Sequence, residues 1–123
     1  MRKRELPGQF EQVILTAVLT LGEDAYGVSV FRRAQALVAP RSVSIGAVYV
    51  TLDRMETKGY LTSWLSEPTH ERGGRAKRRY RLAASGETAL RESVETGRRI
   101  RDAVAAASAI GALQTIGPAK ETA

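Results

Sequence analysis

Apolar residues recur at three-and-four spacing through Phe10, Val13, Ile14, Ala17, Val18 and Leu21, which predicts a helix with one face turned to a core. Leu15 and Leu19 lie off this stripe and are also apolar, so the helix is expected to bury a second side against a neighbour. Gly22 closes it. Asp24 is placed to cap a second helix over 25–39, whose inward face carries Val30, Ala34 and Leu37. Tyr26 and Phe31 fall near its edge, Gly27 marks a close helix crossing, and Pro40 ends the segment.

A third helix is expected from about Ser44 to a C′ glycine at Gly59. At about 100° per residue, Ile45, Val48, Leu52 and Met55 share its core face. The opposite face carries Gly46, Val50, Asp53 and Thr57, flanked by Ala47, Tyr49 and Arg54. A face that is merely solvated would be rich in Lys and Glu, whereas this one is small, with Val50 near its centre.

The period then changes to two. Leu61, Ser63 and Leu65 alternate with Thr62, Trp64 and Ser66, and in "KRRYRL" Tyr80 and Leu82 alternate with Lys77, Arg79 and Arg81. Two such runs around a turn holding Pro68, Gly73 and Gly74 predict a hairpin. Three helices followed by a hairpin make a winged helix-turn-helix, so the expected fold is mostly α with a small β-hairpin. From about Ser85 a long helix is expected to run toward Gly117-Pro118. Its stripe of Leu90, Val94, Gly97, Ile100, Val104, Ala107 and Gly111 drifts near the coiled-coil period. Ala103, Ala106, Ile110 and Leu113 add a second apolar face. A terminal helix apolar on two sides calls for a second chain, whose seam is expected at Leu15, Leu19, Val94, Ile100, Val104, Ala107, Ile110 and Leu113. The division expected is 6–83 for the winged helix and 84–116 for a dimerisation helix.

Composition narrows the function. The 123 residues carry a net charge of +6 and 43% hydrophobic residues, enough for one domain with a modest core. The absence of cysteine excludes disulfides, thiolate catalysis and cysteine-based zinc sites. The longest apolar run, "VILTAVLTL", is too short for a bilayer and no signal-peptide pattern precedes it, so the expected location is the cytoplasm. Between Glu67 and Arg81 stand six Lys/Arg against Glu67 and Glu71, so most of the excess charge sits in one segment. A solvated loop can look like this, but beside a small-faced helix such a concentration suits a polyanion. His70 is the only histidine and belongs to the wing, and the Asp53/Glu56 pair at i, i+3 has Arg54 and Lys58 as ion-pair partners. No catalytic or metal constellation and no nucleotide-binding glycine motif emerges.

Double-stranded DNA is therefore the expected partner. Cations in a glycine-rich wing neutralise phosphates, and glycines let the loop follow the backbone closely. Phosphate contacts fix position, so sequence must be read by the helix. Ala47 and Val50 are small enough to touch thymine methyls in the major groove, and Tyr49 is placed to donate to a phosphate. The expected contacts are Ser44, Gly46, Ala47, Tyr49, Val50 and Arg54 on the third helix, with Arg72, Gly74, Arg75, Lys77 and Arg79 in the wing. The alternative is a winged-helix module for protein interaction or RNA binding, because fold does not fix function.

The segments "AYGVSVFRRA", "SIGAVYVTLDRMETKGYLTSW" and "GGRAKRRYRLAASGETAL", in that order and spacing, resemble the PadR family of transcriptional regulators. The resemblance spans about Phe10 to Leu90. It implies a dimeric winged helix with a C-terminal dimerisation helix, repression of transcription and, as in some members, response to a small-molecule effector; no cofactor is implied. A dimeric helix-turn-helix protein is expected on a palindromic operator. Trp64 and Phe10 are the nearby aromatics that an effector would use, since the last helix has none. The chain departs from the family pattern at Ile45 and Ala76, where Pro is usual, and at Ala47 and Ala83, where Thr is common. Ala83 removes a cap, so the last helix is expected to begin later.

Overall fold

The computed structural model describes residues 5–67 and 76–111. Helix α1 (Gln9–Leu21) is followed by a short 3-10 turn (Gly22–Asp24), α2 (Gly27–Val38) and α3 (Ile45–Thr57). Strands β1 (Leu61–Leu65) and β2 (Arg78–Leu82) and helix α4 (Ala84–Ala109) complete the order. The strands pair antiparallel with Leu61 opposite Leu82, Ser63 opposite Tyr80 and Leu65 opposite Arg78. The segment before α2 extends this hairpin: Tyr26 bridges to Arg79, and the Tyr80 N–H donates to the Ala25 carbonyl at 2.9 Å. The expected winged helix-turn-helix, mostly α with one small hairpin, is the fold observed.

One core joins the elements. Ile14, Ala17 and Val18 of α1 meet Val30 and Ala34 of α2, Val48, Leu52 and Met55 of α3, and Leu61, Tyr80 and Leu82 of the hairpin. The larger of these, such as Ile14, Leu52 and Met55, cost about 2–5 kcal/mol each when cut back to Ala. Leu15, expected at the seam between chains, is wholly enclosed in this same core and has no surface to offer a partner. The α1 helix is embraced on more than one side by its own domain, and of its two expected seam residues Leu19 is the one that faces outward. On α3 Val48, Leu52 and Met55 form the core face as expected, whereas Ile45, at the helix start, is exposed and Thr51 is buried in addition.

The helix starts depend on bonds that reach beyond the local spacing. Helix α3 begins after Ser44, as expected, and the structure adds a cap there, the Ser44 hydroxyl accepting from the Ala47 N–H at 3.0 Å, a bond worth about 1 kcal/mol. Asp24 does not cap α2: it lies in the 3-10 turn, and α2 begins after Tyr26, whose N–H donates to Ser29 Oγ at 3.0 Å. Nor does α4 start late. Ala83 supplies no side-chain cap, yet its N–H donates to the Tyr60 carbonyl at 2.9 Å and Ser85 Oγ donates to the Gly59 carbonyl at 2.7 Å. Tertiary bonds anchor the chain there, so the helix begins at Ala84 without a hydroxyl at its cap. Gly86 lies directly on the Tyr60 carbonyl, with no room for a side chain. The helix ends at Ala109, short of the expected 116, where Gly111 adopts a left-handed φ of 86°.

Candidate nucleic-acid interface

The α3 cap sets the first half of the site. With Ser44 fixing the helix start, Gly46, Ala47, Tyr49 and Val50 all stand on the open surface, and Val50 is 56% exposed at the centre of the face. No long side chain springs from that centre, so another surface can approach to van der Waals distance. Tyr49 is held sideways against the start of α2, over Gly27, where the expected close helix crossing is found.

The wing root forms the second half. The Lys77 ammonium sits 4.1 Å from the centre of the Tyr26 ring, a cation–π contact that steadies a flexible side chain. Arg78 follows on the same side as Tyr80. Between α3, the α2 start and the wing root runs an open groove lined by Tyr26, Gly27, Val28, Tyr49, Asp53, Lys77, Arg78 and Tyr80. Burial, reinforced by the Asp53 carboxylate, pushes the Tyr80 phenol above its ordinary value of 10.0, so this wall of the groove stays neutral.

The expected contacts divide accordingly. Ser44, Gly46, Ala47, Tyr49 and Val50 share one exposed face, and Lys77 reaches the groove beside it. Arg79 does not. Its guanidinium donates to the Glu23 carbonyl and leans over Tyr26 at 5.7 Å, so it lines the cleft on the other side of the hairpin. Arg54 also lies off the groove: with Lys58 it turns to α1, at 3.7 and 3.3 Å from the Glu11 carboxylate. Arg72, Gly74, Arg75 and Leu113 lie outside the described residues. Arg78, Tyr26 and Val28 belong to the groove and were missed from the sequence. The alternation in "KRRYRL" carried the signal for Arg78, since it shares the parity of Tyr80 and therefore the α3-facing side.

The second cleft is lined by Val18, Leu19, Glu23, Asp24, Trp64, Arg79, Arg81, Leu82 and Glu87. Trp64 is partly exposed there beneath Arg81, 5.0 Å from its ring, whereas Phe10 packs against the core. Along α4, Leu90 is buried in the domain, but beyond it Val94, Ile100, Val104 and Ile110 are 45–81% exposed, and Ala107 is half-buried. Among the described residues no cluster of His, Asp or Glu has the makings of a metal site, and no helix is long and apolar enough to cross a membrane.

A family model, described as the transcriptional regulator PadR-like family, matches residues 14–92, more than half of the chain. No curated protein matches the sequence. Among solved structures the chain is similar to a PadR family transcription regulator from Clostridium difficile, with a TM-score of 0.68 and 23% identity over 89% of this chain and 100% of that one. A PadR-like transcriptional regulator from Bacillus cereus gives 0.63 and 21% over 76% and 85%. Bacillus subtilis PadR in complex with operator DNA gives 0.56 and 21% over 68% of this chain and 46% of that chain. At these identities the likeness is one of fold.

Proposed function

The chain belongs to the PadR-like family of transcriptional regulators, and from that membership we propose that it is a dimeric repressor of transcription that binds a palindromic DNA operator. The reading rests above all on one observation: an exposed helix face made of small residues, Gly46, Ala47 and Val50, stands beside a groove whose far wall carries Lys77 and Arg78. A helix enters the major groove when its outer side chains are short, and apolar ones such as Val50 suit a thymine methyl. Cations flanking it neutralise the phosphates on either side. Fixed by Gly27, Tyr49 presents its hydroxyl beside that groove as a phosphate donor. The Bacillus subtilis relative with the same fold is in complex with operator DNA, which supports DNA as the partner.

Dimerisation comes from the distal half of α4 and from Leu19. Apolar side chains exposed in succession along a helix gain by burial against a second copy, at about 25 cal/mol per Å² removed from water. Two copies related by a two-fold axis present two α3 helices, which is why the operator is palindromic. The cleft beside Trp64 offers a small-molecule effector an aromatic wall next to Leu19, so occupation there bears on the dimer.

Selection of duplexes from a random-sequence pool tests the reading. Enrichment of an inverted repeat, bound more tightly than an unselected duplex of equal length, is the expected result. A pool that converges on no motif, or a preference for single-stranded RNA, contradicts it.

A further inference from the structure

The two halves of the groove are joined by a polar relay. Arg78 Nη1 donates to Ser63 Oγ at 2.9 Å, and Ser63 Oγ donates to Glu56 Oε2 at 2.8 Å. The three residues come from β2, β1 and α3 respectively. The strand register makes this possible. Ser63 is opposite Tyr80 and Arg78 is opposite Leu65, so Ser63 and Arg78 are diagonal neighbours on the α3-facing side, within reach of a long side chain.

The hydroxyl has one proton and spare lone pairs, so it gives the proton to the carboxylate and accepts from the guanidinium without conflict. Chains of this polarity strengthen one another. The intervening Ser63 also keeps Glu56 from pairing directly with the arginine. Arg78 uses one of its five N–H donors on Ser63, and its guanidinium remains exposed at the groove. The neighbouring cations are placed otherwise, Arg54 and Lys58 on Glu11 and Arg79 on the Glu23 carbonyl.

We propose that Ser63 is a positioning residue that holds the Arg78 guanidinium at the DNA-facing groove, locking the wing to the reading helix through Glu56. The proposal rests on the DNA-binding reading above and adds to it a specific contact, Arg78, and the group that aims it. Without the hydroxyl, Arg78 either closes on Glu56 and leaves the groove or loses its fixed direction. Ser63→Thr keeps the hydroxyl on a strand that tolerates β-branching.

The test is a binding titration on the selected duplex at several salt concentrations, with thermal unfolding as the check on folding. Arg78→Ala is expected to lower the salt slope by roughly 0.9, the signature of one lost phosphate contact. Ser63→Ala is expected to weaken binding about threefold to tenfold, the range of one hydrogen bond, while Ser63→Thr stays near wild type. In the Arg78→Ala background, Ser63→Ala is expected to add nothing. The same loss from Ser63→Ala in both backgrounds, or no loss in either, overturns the positioning role and leaves the DNA-binding reading standing. A wild-type protein that shows no preference among duplexes and no salt dependence overturns both.

Discussion

Gly27 and Tyr49 meet so closely that the tyrosine ring occupies the space a side chain at Gly27 would need, with its hydroxyl only 2.6 Å from the place of a Cβ. Helix α2 thus sets where α3 presents its one aromatic. The backbone at Gly27 is ordinary helix, so the requirement is one of space alone.

Gly27→Ala is therefore expected to displace Tyr49 and weaken binding to the selected duplex, while helix propensity at residue 27 improves. Tyr49→Ala alone should also weaken binding. Adding Gly27→Ala to Tyr49→Ala should then cost little more, because the ring that clashed is gone. Additive losses in a double-mutant cycle would show that Gly27 acts by another route.

Tyr80 gives a pH signature. Its phenol is held above 10.0 by burial first and by Asp53 second, so the folded state favours the neutral form more than the unfolded state does. The resulting stability is fully present below the unfolded value and is lost as pH rises through the higher folded value. Tyr80→Phe keeps the packing and removes the ionisation. Denaturant midpoints measured from neutral to strongly alkaline pH should fall less steeply in Tyr80→Phe than in wild type; parallel curves would remove Tyr80 from the alkaline transition.

The dimer seam is tested by charge. Val104→Asp or Ile110→Asp places a carboxylate in the proposed seam, where an unpaired buried charge is strongly destabilising. Sedimentation should show a wild-type dimer at micromolar concentration and variants shifted toward monomer with their folding intact. A wild type that sediments as a monomer would defeat the argument from the exposed side chains of α4.

Much of this arrangement was legible in the chain because it depends on local chemistry. The helix start at Ser44, the glycine at 59 and the period-two runs are each local signals, and the order of elements followed from them. What escaped was set by distant partners. Leu15 lies off the main stripe of α1, yet its own domain wraps that side too. Ala83 offers no side-chain cap, yet its N–H is tied to the Tyr60 carbonyl and the helix begins directly after it. Arg79, an expected contact, and Arg78, which was not singled out, face opposite ways because strand parity turns one toward Glu23 and the other toward Ser63. Charge density marked the segment, and the register chose the residue.

Two-fold symmetry carries a geometric expectation. Footprinting on the selected duplex should show two related half-sites about one helical turn apart, and inserting half a turn between them should abolish the gain from the second. Protection of a single half-site, with no gain from its partner, would be incompatible with a symmetric dimer.

The division of labour between α3 and the wing root is the centre of the account, and a salt titration of variants on selected and unselected duplexes tests it most directly. Lys77→Ala should weaken both duplexes alike and flatten the salt slope by roughly one unit. Val50→Asp should mainly destroy the preference for the selected duplex, and Val50→Ala should cost about 1 kcal/mol there and little elsewhere. If Lys77→Ala abolished only the sequence preference while Val50→Asp bound like wild type, the hairpin would be the reader and the roles assigned to the two elements would be reversed.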